Sequence, residues 1–319
     1  MKIDNRFAER GAIGGALRMD PTQPVFNNTG IYGGYFTWLT TDGSRNVNGT
    51  RNPVAQLQQR RDESDVNRYI IDAQANYKLH FFPDIEATLK VGLDKSESDG
   101  FTDTDPEASW VRTASSGVAR DYTQERKNEL LDFYLTYRKN IPEIESKVDV
   151  VAGYEWQHFW SNASAYEVDR FNTVIVDSKD ETENYLVSFF GRANYSYKDK
   201  YLFTATLRDD GSSRFYKDNR WGLYPSTALG WRIIEEPFMK SIKEFSNLKL
   251  RLGYGITGQQ ELNSGDYPYM GIYQLSDSRT QYKFGDQYYT LIRPNGYDQS
   301  LKWEKTTTYN LGLDFGLLD

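Results

Sequence analysis

Residues 69–79 read Tyr69-Ile70-Ile71-Asp72-Ala73-Gln74-Ala75-Asn76-Tyr77-Lys78-Leu79, and the pattern resumes after a short polar break as Ile85-Glu86-Ala87-Thr88-Leu89-Lys90-Val91-Gly92-Leu93-Asp94. From Ile71 on, apolar side chains hold every second position and polar or small ones the positions between. A period of two places them on opposite faces of an extended chain. The same alternation returns at Leu131/Phe133/Leu135/Tyr137, Val148/Val150/Ala152/Tyr154/Trp156, Tyr185/Val187/Phe189 and Tyr201/Phe203/Ala205/Leu207. It continues from Leu223 to Trp231, at Leu248/Leu250/Leu252/Tyr254 and at Tyr309/Leu311/Leu313/Phe315. The reading is nine strands between about residues 67 and 316, an all-β, antiparallel chain.

Connections between these strands alternate in length. Short ones are expected near 80–84, 140–146, 198–200 and 234–246, and long ones near 97–127, 161–183, 209–221 and 257–302. A soluble sandwich has no reason to gather its long loops at one end. An outer-membrane barrel does, with short periplasmic turns, long extracellular loops and an outward apolar band edged by aromatic residues. Tyr69, Tyr77, Trp156, Phe159, Tyr197, Tyr201 and Trp231 stand near strand ends, as such girdles require. The opposite face carries Asp72, Lys78, Glu86, Lys90, Arg138, Glu155, Arg192, Arg208, Lys249 and Arg251. Alternation alone leaves a soluble all-β carbohydrate-binding or carbohydrate-active protein open. That alternative requires a dry core behind Leu89 and Val91.

Residues 1–66 form a separate, loop-rich region. They are polar and rich in Gly, Asn and Thr, and contain Pro21, Pro24 and Pro53. One or two weak strands are expected there, around Ala12–Leu17 and Tyr32–Leu39, within a large extracellular loop. The 234–246 connector is expected to hold a helical turn after Pro237 with Phe238, Ile242 and Phe245 on one face. Bacterial single-chain barrels close with an even number of strands. Nine or ten strands, with no terminal aromatic residue after Gly316-Leu317-Leu318-Asp319, therefore read as a piece of a larger barrel.

Composition removes other classes. The chain has 319 residues, no Cys, only His80 and His158, 48 aromatic residues (24 Tyr, 17 Phe, 7 Trp) and a formal charge of -7. No disulfide framework, thiolate metal centre or cysteine nucleophile is available. The dispersed acidic balance argues against nucleic acid. No apolar run approaches the ~18 residues of a membrane helix, and no signal-peptide pattern opens the chain. Nucleophile-elbow, P-loop and dinucleotide spacings are missing, and no local pair of carboxylates is singled out for glycoside hydrolysis. No enzyme, cofactor or metal is expected.

Four linked blocks carry a family likeness. Tyr201-Leu202-Phe203-Thr204-Ala205-Thr206-Leu207-Arg208-Asp209-Asp210-Gly211-Ser212-Ser213-Arg214-Phe215 resembles the strand-plus-loop motif of SusC/RagA-like TonB-dependent outer-membrane transporters. Asn219-Arg220-Trp221-Gly222-Leu223-Tyr224-Pro225-Ser226, with Gly230-Trp231-Arg232-Ile233 and the turn Glu236-Pro237-Phe238-Met239, is similar to that family's next strand and periplasmic turn. Asn247–Gly258 and Leu301–Phe315 resemble the following two blocks, with Gln259 where the family often has Asn. Ala16–Thr22 and Asn52-Pro53 resemble its earlier loop region. The resemblance implies energised import of oligosaccharides or peptides across the bacterial outer membrane. It also implies a SusD-like surface lipoprotein and the TonB system as partners, besides outer-membrane lipid. The family's plug domain and its remaining strands are not in this sequence.

Candidate contacts with substrate or partner are Trp110, Arg214, Tyr282, Tyr288 and Tyr289, with Arg279 and Arg293 beside the tyrosines. Aromatic faces next to polar side chains suit sugar stacking, and equally loop packing or lipoprotein contact. The run Arg208–Arg214 reads first as a turn with Gly211 at positive φ, and second as a charged lumen lining that binds sugar hydroxyls. Asp99, Asp103, Asp105 and Glu107 read as a solvated acidic loop, their spacing not being that of an EF-hand. His158 is expected in a girdle or loop, on a different face from Glu155, and His80 in a structural turn.

Overall fold

The computed structural model describes residues 1–317 except 8–10, 28–29, 112–116, 243, 262–264 and 277–279. Its strands are β1 (Lys2–Asp4), β2 (Arg60–Lys78), β3 (Ile85–Thr104), β4 (Val118–Ile141), β5 (Ser146–Asp169), β6 (Val174–Tyr197), β7 (Tyr201–Ser212), β8 (Trp221–Arg232) and β9 (Phe245–Gln259). Four short strands follow, β10 (Tyr273–Leu275), β11 (Gln281–Phe284), β12 (Gln287–Thr290) and β13 (Ile292–Pro294), then the long β14 (Glu304–Leu317). Two short helices, α1 (Ala12–Arg18) and α2 (Pro53–Gln58), lie before β2. The main sheet has ten strands in the order β1-β2-β3-β4-β5-β6-β7-β8-β9-β14. β1 and β14 are the first and last strands in that order. The nine strands expected from alternation are β2 to β9 and β14.

The register explains why the alternation is so regular. Tyr195 pairs with Phe203, Phe203 with Leu229, Leu229 with Leu252 and Leu252 with Leu311. The next row runs Tyr197, Tyr201, Trp231, Leu250, Leu313. A one-residue slip of any strand would turn its apolar set to the other face, so the pattern itself fixes the pairing. Among the described residues these rows are largely uncovered: Leu229 is 51% exposed, and on β3 Leu89 and Val91 are 42% and 43% exposed. Among the described residues no dry core lies behind Leu89 and Val91, which the soluble alternative requires. Apolar surface this continuous marks contact with another apolar phase. Among the described residues no helix is long and apolar enough to cross a membrane.

By contact density the chain divides into two compact units, residues 1–70, 94–127 and 160–182 in one and 71–93, 128–159 and 183–319 in the other. The first holds the ends of β2 to β6 that lie away from the short turns. Here the structure departs from the expected long loops. β3 and β4 extend to leave only 105–117 between them, and β5 and β6 leave only 170–173. Asp169 closes that tight turn by accepting from Phe171 N–H (2.9 Å) and Thr173 N–H (2.8 Å). Outside lipid a strand needs no apolar face, so these extensions carry polar residues on both sides and show no hydropathy period. Cross-strand polar pairs hold them instead, such as Thr123 with Ser164 (2.7 Å) and Trp160 Nε1 donating to Glu181 (2.9 Å).

The N-terminal region also differs from the expected weak strands. Residues 12–18 are α1, whose Ala12, Gly14 and Gly15 are buried. A Cβ on Gly15 would lie 2.6 Å from Gln56 Oε1 of α2, so the small residues there serve close helix packing. Residues 31–34 form a turn with Tyr32 and Gly33 at positive φ, which no strand at Tyr32–Leu39 accommodates. β2 starts at Arg60, inside the expected loop region: Asp62 and Ser64 are buried there, an alternation of burial without an alternation of hydropathy. Asn52 organises this region. Its Oδ1 accepts from Val54 N–H and Ala55 N–H at the start of α2, and its Nδ2 donates to Val25 O (2.7 Å) and Phe36 O (3.3 Å). Asn52→Ala loses a helix cap of ~1 kcal/mol and strands two carbonyls. Hydrogen exchange is expected to show protection lost across 20–58 while β7 to β9 are unchanged.

In the second unit the 233–244 connector holds two 3-10 turns, and Met239 is its buried anchor while Phe238 is exposed. The expected helical turn after Pro237 is there, as Pro237–Met239, but Phe245 already belongs to β9 and Phe238 and Ile242 are exposed. The buried aromatic cluster is Phe215, Tyr224 and Trp303, with Leu186, Ile256 and Leu301 against it. Trp303 Nε1 donates to Arg220 O (2.9 Å), and Asn219 Nδ2 donates to Gln299 O (3.0 Å). The cluster thus ties the 213–220 connection to the end of the segment that precedes β14.

Candidate functional site

Two surfaces of the second unit carry chemistry. One is the polar face of the sheet. Arg208 on β7 donates to Ser188 Oγ on β6 (2.7 Å), reaches Glu155 on β5 (3.3 Å) and pairs with Asp210 through Nε (2.6 Å). Phe190 lies under its guanidinium at 5.8 Å. Thr204 donates to Asn194 Oδ1 (2.9 Å), and Arg251 of β9 pairs with Asp314 of β14 (2.7 Å). Charged side chains at alternate positions are thus neutralised across strands, as a water-filled lumen surface permits and a lipid face does not.

The turn reading of Arg208–Arg214 is corrected. β7 runs to Ser212, and Gly211 pairs with Val187 and Trp221 without a positive φ. Its lack of a side chain serves Trp221, whose indole atoms stand 2.9–3.0 Å from where a Cβ would be. Arg214 makes a 2.6 Å ion pair with Asp266, both side chains being mostly buried. It anchors the long segment after β9, and its charge is spent there.

The other surface lies on that long segment. β11 and β12 form a hairpin in which Tyr282 faces Tyr289 and Lys283 faces Tyr288. Tyr282 and Tyr289 therefore share one face of the ribbon and Tyr288 stands on the other. All three are exposed, and Lys283 Nζ sits 5.7 Å over the Tyr288 ring. Arg293 lies on β13, paired with Gln274 of β10, and Arg279 lies outside the described residues. Trp110 belongs to the first unit, where Arg51 stacks over its ring at 5.7 Å. So the structure groups two of the expected contact residues, Tyr282 and Tyr289, and gives Arg214 a structural tie.

The histidines have definite partners. His158 lies between Glu129 Oε2 (2.7 Å) and Glu183 Oε1 (2.9 Å), carboxylates of the two neighbouring strands, and stacks on Tyr185 at 4.5 Å. These partners were not evident in the sequence, because cross-strand neighbours depend on register and not on spacing. His80 Nδ1 bonds the Tyr77 hydroxyl at 2.9 Å in the β2–β3 turn. Of the acidic run, Asp99 and Asp103 are on β3, and Asp105 accepts from Glu107 N–H (2.7 Å).

An antiparallel sheet with an uncovered, in-register apolar face, a charge-paired opposite face and short turns at one end is the wall of an outer-membrane-type β-barrel. The chain belongs to the TonB dependent receptor-like, beta-barrel family, whose sequence model matches residues 12–319. It is 41% identical to the TonB-dependent receptor SusC of Bacteroides thetaiotaomicron over its whole length, and covers 33% of that protein. It is 29% identical to the TonB-dependent receptor P26 of Formosa agariphila, over 96% of this chain and 31% of that one. In structure it matches a chain of the RagAB peptide transporter with a TM-score of 0.70 and 19% identity, over 86% of this chain and 32% of that chain. That likeness is one of fold. The chain spans about a third of the length of the relatives it matches.

Proposed function

We propose that this chain is the barrel section of a TonB-dependent outer-membrane importer that takes up oligosaccharides, or peptides, together with a SusD-like surface lipoprotein. The observation that carries the reading is its family membership, held over residues 12–319 and joined to the uncovered apolar face. The exposed tyrosines of the ribbons β10–β13 and β11–β12 support contact with a solute or a lipoprotein, and the charge-paired face supports a polar route inward. Trp110, Tyr282, Tyr288 and Tyr289 are the proposed contacts, with Arg214 holding the segment in place through Asp266. The TonB system acts through parts of the full-length protein outside this chain.

The test is uptake by the source bacterium. Deleting the full-length gene is expected to abolish uptake of one class of labelled oligosaccharide or peptide, and the protein is expected to purify from the outer membrane with a surface lipoprotein. Unchanged uptake of both solute classes sinks the reading. Tyr282→Ala with Tyr289→Ala removes the paired ring face. Aromatic contacts of ~0.5–1.5 kcal/mol each predict solute affinity, by calorimetry on the purified full-length protein, weakened about tenfold.

A further inference from the structure

The connector between β8 and β9 is tied to the apolar face of the sheet and not to its polar face. Tyr201 and Trp231 stand in the row Tyr197, Tyr201, Trp231, Leu250, Leu313, one step closer to the turns than the row that holds Leu229. Both rings therefore project from the lipid-facing side. Their polar tips meet one carboxylate of the connector. The Tyr201 hydroxyl donates to Glu236 Oε1 (2.6 Å), and the Trp231 indole N–H donates to the same oxygen (3.1 Å). Lys200 Nζ reaches Glu236 Oε2 at 3.4 Å, and Glu236 is only 8% exposed. An acceptor that serves both rings has to lie on their side of the sheet, so the connector folds over the outer side of the strand ends.

That placement decides what the exposed side chains of the connector meet. Glu236 N–H donates to Ile233 O (3.0 Å), Met239 N–H to Glu236 O (3.0 Å) and Ile242 N–H to Met239 O (2.9 Å), which sets the path of the chain. Met239 is buried, while Phe238 is 60% exposed and Ile242 38%. Interfacial tyrosines and tryptophans ordinarily sit at headgroup level with one end apolar and the other wet. Here Glu236 takes the place of the headgroup. A carboxylate is too costly to carry into hydrocarbon, so Glu236 marks the polar side of the boundary. Phe238 follows two residues later, and with Ile242 it extends the lipid-facing rows past the strand ends.

We propose that the connector 233–242 is an interfacial anchor, with Phe238 and Ile242 seated at the boundary between headgroups and acyl chains of the periplasmic leaflet and Glu236 as the residue that positions it. The partner is the phospholipid surface itself. This inference uses the barrel fold and is independent of the solute carried. The test introduces Phe238→Cys into the full-length protein, any other cysteines being replaced, labels it with a small fluorophore and folds the protein into vesicles. Leu229→Cys, labelled in the same way, is the reference within the membrane. The label at 238 is expected to be quenched at least about twofold more by lipid brominated close to the headgroup than by aqueous iodide or by lipid brominated at the chain ends. Adding Glu236→Ala is expected to expose the label at 238 to iodide while the label at 229 is unchanged. Glu236→Gln keeps one acceptor oxygen for Tyr201 and Trp231, so it is expected to retain part of the lipid quenching.

Iodide quenching at 238 with lipid bromines silent overturns the anchor, and the barrel reading stands if lipid still quenches the label at 229. Strongest quenching by the chain-end bromines overturns the interfacial depth. Shielding from every quencher means that a protein covers the connector, and it overturns the lipid partner. Iodide quenching at both positions overturns the barrel reading as well. A label at 238 that Glu236→Ala leaves in lipid overturns Glu236 as the positioning residue.

Discussion

Leu229→Arg is expected to destabilise the folded barrel by ~2–4 kcal/mol in a bilayer, the cost of a guanidinium on the lipid side near the midplane. Leu229 occupies the middle of a row that runs Tyr195, Phe203, Leu229, Leu252, Leu311, and it is 51% exposed. Placing arginine there exchanges lipid contact for an unpaired charge whose only relief is to reach toward a headgroup. Ala228→Arg is the matched control. It lies on the opposite face, exposed and paired with Thr204 and Gly253. Reversible folding of the full-length protein into lipid vesicles, followed by urea titration, reads both. A soluble β-protein would reverse the contrast, or show none.

Phe215→Ala is expected to cost ~3–5 kcal/mol, the range for emptying a fully buried aromatic site. Phe215 has no solvent exposure, and its ring lies 5.5 Å from Trp303, which in turn meets Tyr224 at 5.6 Å. Loss is expected to be local first. The 213–220 connection and residues 299–303 depend on this cluster, while β2 to β5 are held by their own ladders. Hydrogen exchange with mass spectrometry should therefore show deprotection at those two segments before any change in β3 or β4. Trp303→Phe keeps the packing and removes the Nε1 bond to Arg220 O. It is expected to cost about 1 kcal/mol and separates the hydrogen bond from the volume.

The part of the fold that lipid constrains was legible in the sequence. Between Ile71 and Phe315 each of the nine long strands shows its face because one side must be apolar and the other must not, and a slipped register would violate both, whereas the short β10 to β13 lie in the expected long loop near 257–302. The legibility stops where the constraint stops. β5 beyond Phe159 and β6 before Tyr185 are strands with polar residues on both sides, so they read as loop. β2 before Asn67 alternates in burial through Asp62 and Ser64, which hydropathy does not record. α1 reads as a strand in Ala12–Leu17 because its meaning lies in Gly15 against Gln56, a tertiary contact. For the candidate site, the exposed tyrosines of the hairpin were visible as a cluster, but which two share a face depends on a register set by Tyr282 against Tyr289. Arg214 looked like a free charge until Asp266, remote in sequence, was placed beside it. The carboxylates around His158 were hidden for the same reason.

The central claim is that alternate residues of one strand meet lipid and water. The chain has no cysteine, so a single cysteine can be placed at Leu229 or at Ala228 within the full-length protein, any cysteines elsewhere in it being replaced, and labelled with a small fluorophore. In vesicles, the label at 229 is predicted to be quenched by brominated acyl chains and spared by aqueous iodide, and the label at 228 to show the opposite. Equal quenching at the two adjacent positions, or lipid quenching at 228 alone, would contradict the account.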